Sequence, residues 1–541
     1  MYNIIAIIIC FILPLIVLRK GICRAIKEKQ TIKQYIQNNK YNLAIYIIFV
    51  IGFFTRLVGL AEYPAGFNQD EASAGYDAYS VLNYGIDRNN QFVPIYFIAW
   101  GSGQSVLYSY LMLPFIHLFG LNELTVRLPM AIVGCITLIF VYKLLKQYDK
   151  KLTIIGLAFF AICPWHIMKC RWGLDCNLFP DMVLIALCIM IIALKNNQMK
   201  KFYIGIAVLS LSVYAYATSY MFLPIFMTIL FIYLLATKKI KIRNAIVSLV
   251  IALLIVWPMI LHVVINVFDL NEIKLGFITI PKLYQNRYEE TITIFSSELI
   301  EVSLNNFEYN MKFLINQNDY TNYNVIPFYG ICYVFSLPFT ILGIFRCLTK
   351  RNLEKTILNI WFIVSLLLVF TCSGGNVNRL NIIMIPIVMY TVIGIYNIMK
   401  NNKEAVIPIA TLYCIAFLFF ANAYMKTQGK NGTSFAQDLE EPIKYVSTLN
   451  VDKVYIPQAF IQPYIYTLFY TQTPAQEYIN TVEFFAEKVA FESIKSFGKY
   501  HFYLPTYMNE ENVAYMLPNY LEIDTTGYKV TTFDRYTVLE K

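Results

Sequence analysis

Long apolar blocks separated by short basic or aromatic turns run through most of the chain, and the pattern changes character near residue 426. Apolar stretches lie at residues 2–18, 43–60, 152–168, 178–194, 202–217, 221–236, 245–265, 326–346, 356–372, 380–398 and 404–422, and one more follows Arg127. Their lengths approach the roughly 20 residues that a helix needs to cross a bilayer, so they predict about twelve spans. The stretch Ser105 to Phe119 is shorter and suits a helix lying in the interface. Beyond residue 426 the runs Val454-Tyr455-Ile456, His501 to Leu504, Tyr528 to Phe533 and Arg535 to Leu539 predict strands. Residues 440–449 and 481–497 read as amphipathic helices. The expected architecture is a polytopic α-helical membrane protein with a small C-terminal α/β domain. It divides into residues 1–42 (a first span and a basic segment), 43–425 (the transmembrane body) and 426–541 (the soluble domain).

Charge orients this arrangement. Lys and Arg cluster at alternate turns: Arg19 to Lys40, Lys143 to Lys151, Lys195 to Lys201, Lys238 to Arg243, Arg346 to Lys355, and Lys400 with Lys403. By the positive-inside rule these turns are cytoplasmic. The segments at 61–126 and 266–325, and the soluble domain, are then expected outside. Hydrophobic residues make up 58% of the chain and charged residues 14%, against roughly 25% charged in soluble proteins, which excludes a string of soluble domains. The net charge of +10 is a membrane-orientation signal, because residues 426–541 hold 10 Lys+Arg against 14 Asp+Glu and the excess lies between the spans. Nucleic acid is not an expected partner. The 11 cysteines fall mostly in apolar runs, with none after Cys414, and form neither a disulfide framework nor a zinc pattern.

Groups able to do chemistry gather on the expected outer face. The richest stretch is Gly66 to Ser80, which carries Asp70, Glu71 and Asp77 on what reads as a loop. The other clusters are Arg171 with Asp175, the tyrosines Tyr214, Tyr216 and Tyr220, and Arg379 after Gly374-Gly375. Each has a plain structural reading. An Asp-Glu pair can cap a helix, Arg127 can anchor a span or pair with Glu123, Arg171 and Asp175 can form an ion pair, and tyrosines populate membrane interfaces. His166 and His117 read as packing residues. The spans look almost free of charge, which disfavours a transporter, since transporters place ionisable groups near the midplane. Carboxylates, cations and aromatic surfaces on one membrane face instead suit an enzyme with a lipid-linked substrate.

These residues resemble the GT-C membrane glycosyltransferases, in particular the protein O-mannosyltransferase and aminoarabinose transferase branch (glycosyltransferase family 39-like). The matching pieces are Asn68-Gln69-Asp70-Glu71-Ala72 with Gly75-Tyr76-Asp77-Ala78, and Gly120-Leu121-Asn122-Glu123 with Arg127-Leu128-Pro129. Further on they are Pro164-Trp165-His166 and Arg171-Trp172-Gly173-Leu174-Asp175. The resemblance implies transfer of a sugar, with inversion, from a polyprenyl-phosphate donor to a protein, lipid or envelope-glycan acceptor at the outer membrane face. It implies Asp70 as base and Glu71 as the group that positions the acceptor or Asp70. Arg171 and Asp175 become a phosphate contact or an ion pair bracing the site, and Arg379 a cation for the lipid phosphate. Apart from the resemblance, Asp77, Tyr214, Tyr216 and Tyr220 stand as further candidate substrate contacts. Where the aminoarabinose transferases carry an acidic-basic-proline step linked to metal and phosphate contact, this chain reads Gly101-Ser102-Gly103-Gln104-Ser105-Val106-Leu107-Tyr108, without charge. No metal cofactor is therefore expected. The competing readings are a flippase for a lipid-linked sugar or envelope polymer, and a non-catalytic relative.

Overall fold

The computed structural model describes residues 2–27, 39–285, 299–349, 352–430, 432, 435–458, 462–485 and 493–541. It begins with α1 (Tyr2–Lys27), α2 (Lys40–Leu57) and α3 (Gln69–Tyr84), followed by the hairpin β1 (Tyr96–Phe97) and β2 (Gln104–Ser105) and by α4 (Leu107–Phe119). A helical series follows: α5 (Glu123–Leu145), α6 (Lys150–Ile162), α7 (Pro164–Lys169), α8 (Asp175–Lys195), α9 (Met199–Leu211), α10 (Ser219–Ala236) and α11 (Ile242–Val267). After the hairpin β3 (Ile273–Leu275) and β4 (Ile278–Ile280) come α12 (Leu299–Asn316), α13 (Leu337–Thr349), α14 (Leu353–Thr371), α15 (Asn381–Asn401) and α16 (Val406–Gln428).

Among the described residues, nine helices are long and apolar enough to cross a membrane: α1, α2, α5, α8, α10, α11, α14, α15 and α16. α5, α8 and α15 form the buried centre, with α1, α11 and α16 at the periphery. The three remaining apolar stretches are α6, α9 and α13, of 13 residues each, which rise only about 20 Å. Each meets a break. α9 runs into a 3-10 turn at Ser212–Tyr214, α13 emerges from one at Val334–Ser336, and α6 stops before Pro164.

The break at Pro164 explains a feature the near-absence of charge in the spans does not suggest. Proline has no N–H for the carbonyl four residues back, and the Trp165 N–H donates to Ile331 O at 2.9 Å. Freed carbonyls inside a membrane need other donors. Arg56 donates to Phe160 O (2.8 Å) and Ala161 O (3.1 Å), and the Tyr333 hydroxyl to Ile162 O (2.7 Å). Arg56 also meets His166 Nδ1 at 2.6 Å, and His166 Nε2 lies 3.1 Å from Asp181 Oδ1. The spans therefore do hold buried charges, Arg56 and Asp181, linked through His166. His166, Cys170 and Asp181 offer ligand atoms within 4.8 Å of one another. A divalent ion among them would face the Arg56 guanidinium, and with a thiolate at Cys170 it would leave net positive charge in a low dielectric, whereas Arg56 and Asp181 already balance. The triad reads as a splice for the helix break.

The soluble domain contains α17 (Glu440–Thr448), β5 (Lys453–Tyr455), α18 (Pro463–Thr471), α19 (Ala475–Thr481), β6 (Glu483–Phe484), β7 (Ile494–Phe497), β8 (Tyr500–His501), β9 (Val513–Pro518), β10 (Lys529–Thr532) and β11 (Tyr536–Glu540). They build a seven-stranded mixed sheet of order β10-β11-β9-β5-β8-β7-β6, with β5 parallel to β8 and β9. The amphipathic helix expected over 481–497 is instead the antiparallel pair β6 and β7, with Phe484 opposite Ile494; residues 486–492 lie outside the described residues. Ile494 and Ser496 are buried while Lys495 between them is half-exposed, an alternation that fits a strand. α18, which the sequence pattern does not announce, is buried along its length and packs against α3. Tyr466 donates to Phe67 O (3.0 Å), Tyr76 to Thr473 O (2.8 Å) and Tyr470 to Glu123 (2.6 Å). An isolated bridge between Phe67 and Ala436 completes the seam, so the domain and the Asp70 stretch share one side of the membrane.

Candidate active site

The stretch around Asp70 is a helix start, where a loop is expected. Asn68 caps α3: its side chain accepts from the Asp70 N–H at 2.8 Å, and its own N–H reaches Glu71 Oε2 at 3.2 Å. This turns the two adjacent carboxylates apart. Asp70 is half-buried, whereas Glu71 is fully buried.

Glu71 is not placed to meet a substrate. Its Oε1 accepts from Arg127 Nε (2.9 Å) and the Gly173 N–H (2.7 Å), and its Oε2 from Arg127 Nη2 (3.1 Å) and the Asn68 N–H. Both oxygens are thus occupied by donors. Arg127 spends its other N–H groups on Leu60 O (3.3 Å), Pro64 O (2.7 Å) and Gly66 O (2.6 Å). Its partner is Glu71, not Glu123. Gly66 itself has φ 80°, and a Cβ there would stand 2.4 Å from Ala436 O, so the turn into α3 requires glycine.

Arg171 is likewise committed, to backbone carbonyls and not to Asp175. It donates to Thr55 O (2.8 Å), Val58 O (3.0 Å), Gly59 O (2.7 Å) and Tyr63 O (2.8 Å). These carbonyls belong to the end of α2 and the turn after it. Orphan carbonyls and the negative end of the helix dipole both favour a cation there. Asp77 is a further correction. It is fully buried and faces Arg88, with the Arg88 N–H at 3.2 Å and the guanidinium at 3.7 Å. Tyr214 gives its hydroxyl to Ile255 O in α11 (2.8 Å), and Tyr220 stands in the first turn of α10.

What remains near Asp70 is a compact polar group. Asp70 Oδ1 accepts from Trp100 Nε1 at 3.0 Å. Asp175, at the N-terminus of α8, accepts from the Ser105 N–H (3.2 Å) and the Cys176 N–H (2.7 Å) and lies within electrostatic range of Asp70. The uncharged stretch at 100–105 therefore grips both carboxylates. Tyr216 lies close to Asp175, Cys176 and Arg379, and Tyr323 close to Asp70. Trp172, Leu174, Cys176 and Phe435 pack with those two tyrosines as an apolar wall. Arg379 is held by its backbone N–H on Asn376 Oδ1 (2.9 Å) and by a guanidinium contact to Ser373 O.

Two functional candidates carry no signal in the sequence. Lys169 is buried over Trp172, 4.9 Å from the ring, and donates to the side-chain oxygens of Asn324 and Asn378. Burial pushes its ammonium down to about 8, with the Asp319 carboxylate among the charges resisting. The other is Trp100.

Behind this group, Asp77, Asp87 and Arg88 form a buried cluster. Burial pushes Asp87 up to about 8, with Asp77 acting in the same direction, and burial raises Asp77 against the opposing Arg88. Raised folded values mean that the cluster stabilises the fold most below the ordinary carboxylate range. That contribution is lost as pH climbs through about 8. Asp87 Oδ1 accepts from the N–H groups of Asn89 and Gln91 (2.9 Å each), which an Asn side chain can reproduce. Asp87→Asn is therefore expected to raise the melting temperature at pH 8.5 clearly more than at pH 5, read by thermal unfolding in detergent. An equal effect at both pH values would show that the Asp87 charge plays no part.

Comparison with known proteins bears on this geometry. A family model described as dolichyl-phosphate-mannose-protein mannosyltransferase matches residues 104–262. The fold is similar to that of ArnT from Cupriavidus metallidurans bound to undecaprenyl phosphate, at 12% identity and a TM-score of 0.56 over 92% of this chain and 97% of that one. It is also similar to the Archaeoglobus fulgidus oligosaccharyltransferase in complex with Zn and sulfate, at 13% identity and a TM-score of 0.52 over 79% of this chain and 61% of that one. No curated protein matches in sequence. The chain is thus a multi-pass membrane protein with the GT-C glycosyltransferase fold and a small C-terminal domain. Within that class it resembles the mannosyltransferase and ArnT-like branch.

Proposed function

We propose that this protein is an inverting glycosyltransferase that moves a sugar from a polyprenyl-phosphate carrier to an acceptor hydroxyl at the non-cytoplasmic membrane face. The observation that carries the reading is the position of Asp70. It is a half-buried carboxylate at a capped helix start, beside Asp175, in a group that also holds Tyr216 and the cation Arg379. In the reaction, Asp70 accepts the acceptor's hydroxyl proton as its oxygen bonds to the anomeric carbon. The bond from that carbon to the phosphate oxygen breaks on the opposite face, and its electron pair leaves with polyprenyl phosphate. Arg379, with Lys169 deeper in the site, supplies positive charge for the departing phosphate. Asp175 orients the acceptor or the sugar, and Tyr216 and Tyr323 border it. The match to a mannosyltransferase family and the ArnT fold support the donor class.

The test is binding of polyprenyl phosphate to purified protein. A charge-assisted contact is worth about 1.5–3 kcal/mol, so Arg379→Ala should weaken binding roughly tenfold or more. Arg379→Lys should recover part of it, keeping the charge without the planar fork. Unchanged affinity in Arg379→Ala would remove the phosphate role from this residue.

A further inference from the structure

We propose that Trp100 is a positioning residue: its indole N–H fixes the Asp70 carboxylate, and Arg88 stacked against the ring holds the indole in place. The inference rests on the assignment of Asp70 as the base. Trp100 is buried, and its Nε1 donates to Asp70 Oδ1 at 3.0 Å. The Arg88 guanidinium carbon lies 4.9 Å from the centre of the Trp100 ring and 6.0 Å from that of Tyr464 in α18. The same guanidinium donates to Ser73 Oγ (2.8 Å), Ser73 Oγ to Gln104 Oε1 (3.0 Å), and Gln104 Nε2 to the Asp70 carbonyl (3.3 Å). Arg88 thus reaches Asp70 by two routes, one to the carboxylate through the ring and one to the backbone through two side chains.

The backbone around Trp100 is built for this placement. Ala99 has φ 45°, Gly101 φ 76° and Gly103 φ 97°, a region that residues with a Cβ enter rarely. The Gly101 carbonyl is pinned by the N–H groups of Tyr284 (3.0 Å) and Gln285 (3.1 Å). A tightly turned loop therefore presents one indole N–H to one carboxylate oxygen. Such a donor stabilises the anion and selects its rotamer, so the carboxylate persists at lower pH than it would without the bond. Among the described residues, the other titratable groups facing Asp70 include Asp175 and Cys176 at the start of α8, Tyr323, and Tyr466 on α18.

The test uses the full-length protein in detergent and needs no substrate. A carbodiimide modifies protonated carboxyl groups, and mass spectrometry follows the extent at Asp70 as a function of pH. Trp100→Phe keeps a ring against Arg88 and removes the N–H, so the midpoint of Asp70 modification should move to higher pH by about half a unit or more. Benzothienylalanine incorporated at position 100, isosteric with tryptophan but without the N–H, should give the same shift and covers a failure of Trp100→Phe to fold. An unchanged midpoint in the isostere would overturn the proposal, as would an equal shift at an unrelated buried carboxylate such as Asp181. Failure of the underlying reading looks different: Asp70→Asn would then keep its turnover whatever the labelling of Asp70 showed.

Discussion

Asp70→Asn is expected to lower turnover by roughly two to four orders of magnitude, the range over which a positioned base contributes, while leaving the fold and polyprenyl-phosphate binding nearly unchanged. The substitution keeps the size of the side chain and an oxygen for the Trp100 indole N–H. It also leaves Asn68 able to cap α3 through the backbone of residue 70. What it removes is the capacity to take a proton from the acceptor hydroxyl. A loss of that kind should appear in kcat and in kcat/KM alike. The measurement is transfer from a polyprenyl-phosphate sugar at matched folded protein, with melting temperature and polyprenyl-phosphate affinity read in parallel. Near-normal turnover would dismiss Asp70 as the base. Lost turnover together with a much lower melting temperature would show that Asp70 acts as a brace.

The membrane-spanning fold was legible because it depends on block hydrophobicity, which a sequence displays directly. Asp70 stands out in the sequence as a carboxylate among small and aromatic residues just past a span, and the structure places it half-buried beside Asp175. The roles of the other polar residues were not, for a physical reason. Arg171 and most of Arg127 are spent on backbone carbonyls, and every residue has one, so no pattern of side chains advertises the partner. The same holds for Arg56, whose carbonyl partners are set free by Pro164. Trp100 and Gln104 meet Asp70 as neutral donors, and a neutral donor in a stretch of Gly and Ser looks like any loop residue. α18 gives no pattern because its aromatic residues form a seam to α3, and a helix buried all round has no amphipathic period.

Glu71→Gln is expected to do the reverse of Asp70→Asn, although the two residues are adjacent. Both Glu71 oxygens are taken by donors: Arg127 Nε and the Gly173 N–H on one, Arg127 Nη2 and the Asn68 N–H on the other. A glutamine has only one such oxygen, so its NH2 group must stand against two of those donors. It also leaves the fully buried Arg127 without its counter-charge. Removing one partner of a buried ion pair typically costs about 3–5 kcal/mol, a large share of the stability of an ordinary domain. The expected result is a marked drop in melting temperature and in yield of folded protein, with turnover per folded molecule within about tenfold of wild type. Arg127→Met combined with Glu71→Leu removes both charges and should be less damaging than either change that strands one of them. It should still not restore wild-type stability, because the carbonyls of Leu60, Pro64 and Gly66 lose the donors that shape the turn into α3. A Glu71→Gln protein that melted normally but failed to turn over would contradict this division of labour and return Glu71 to the reacting centre.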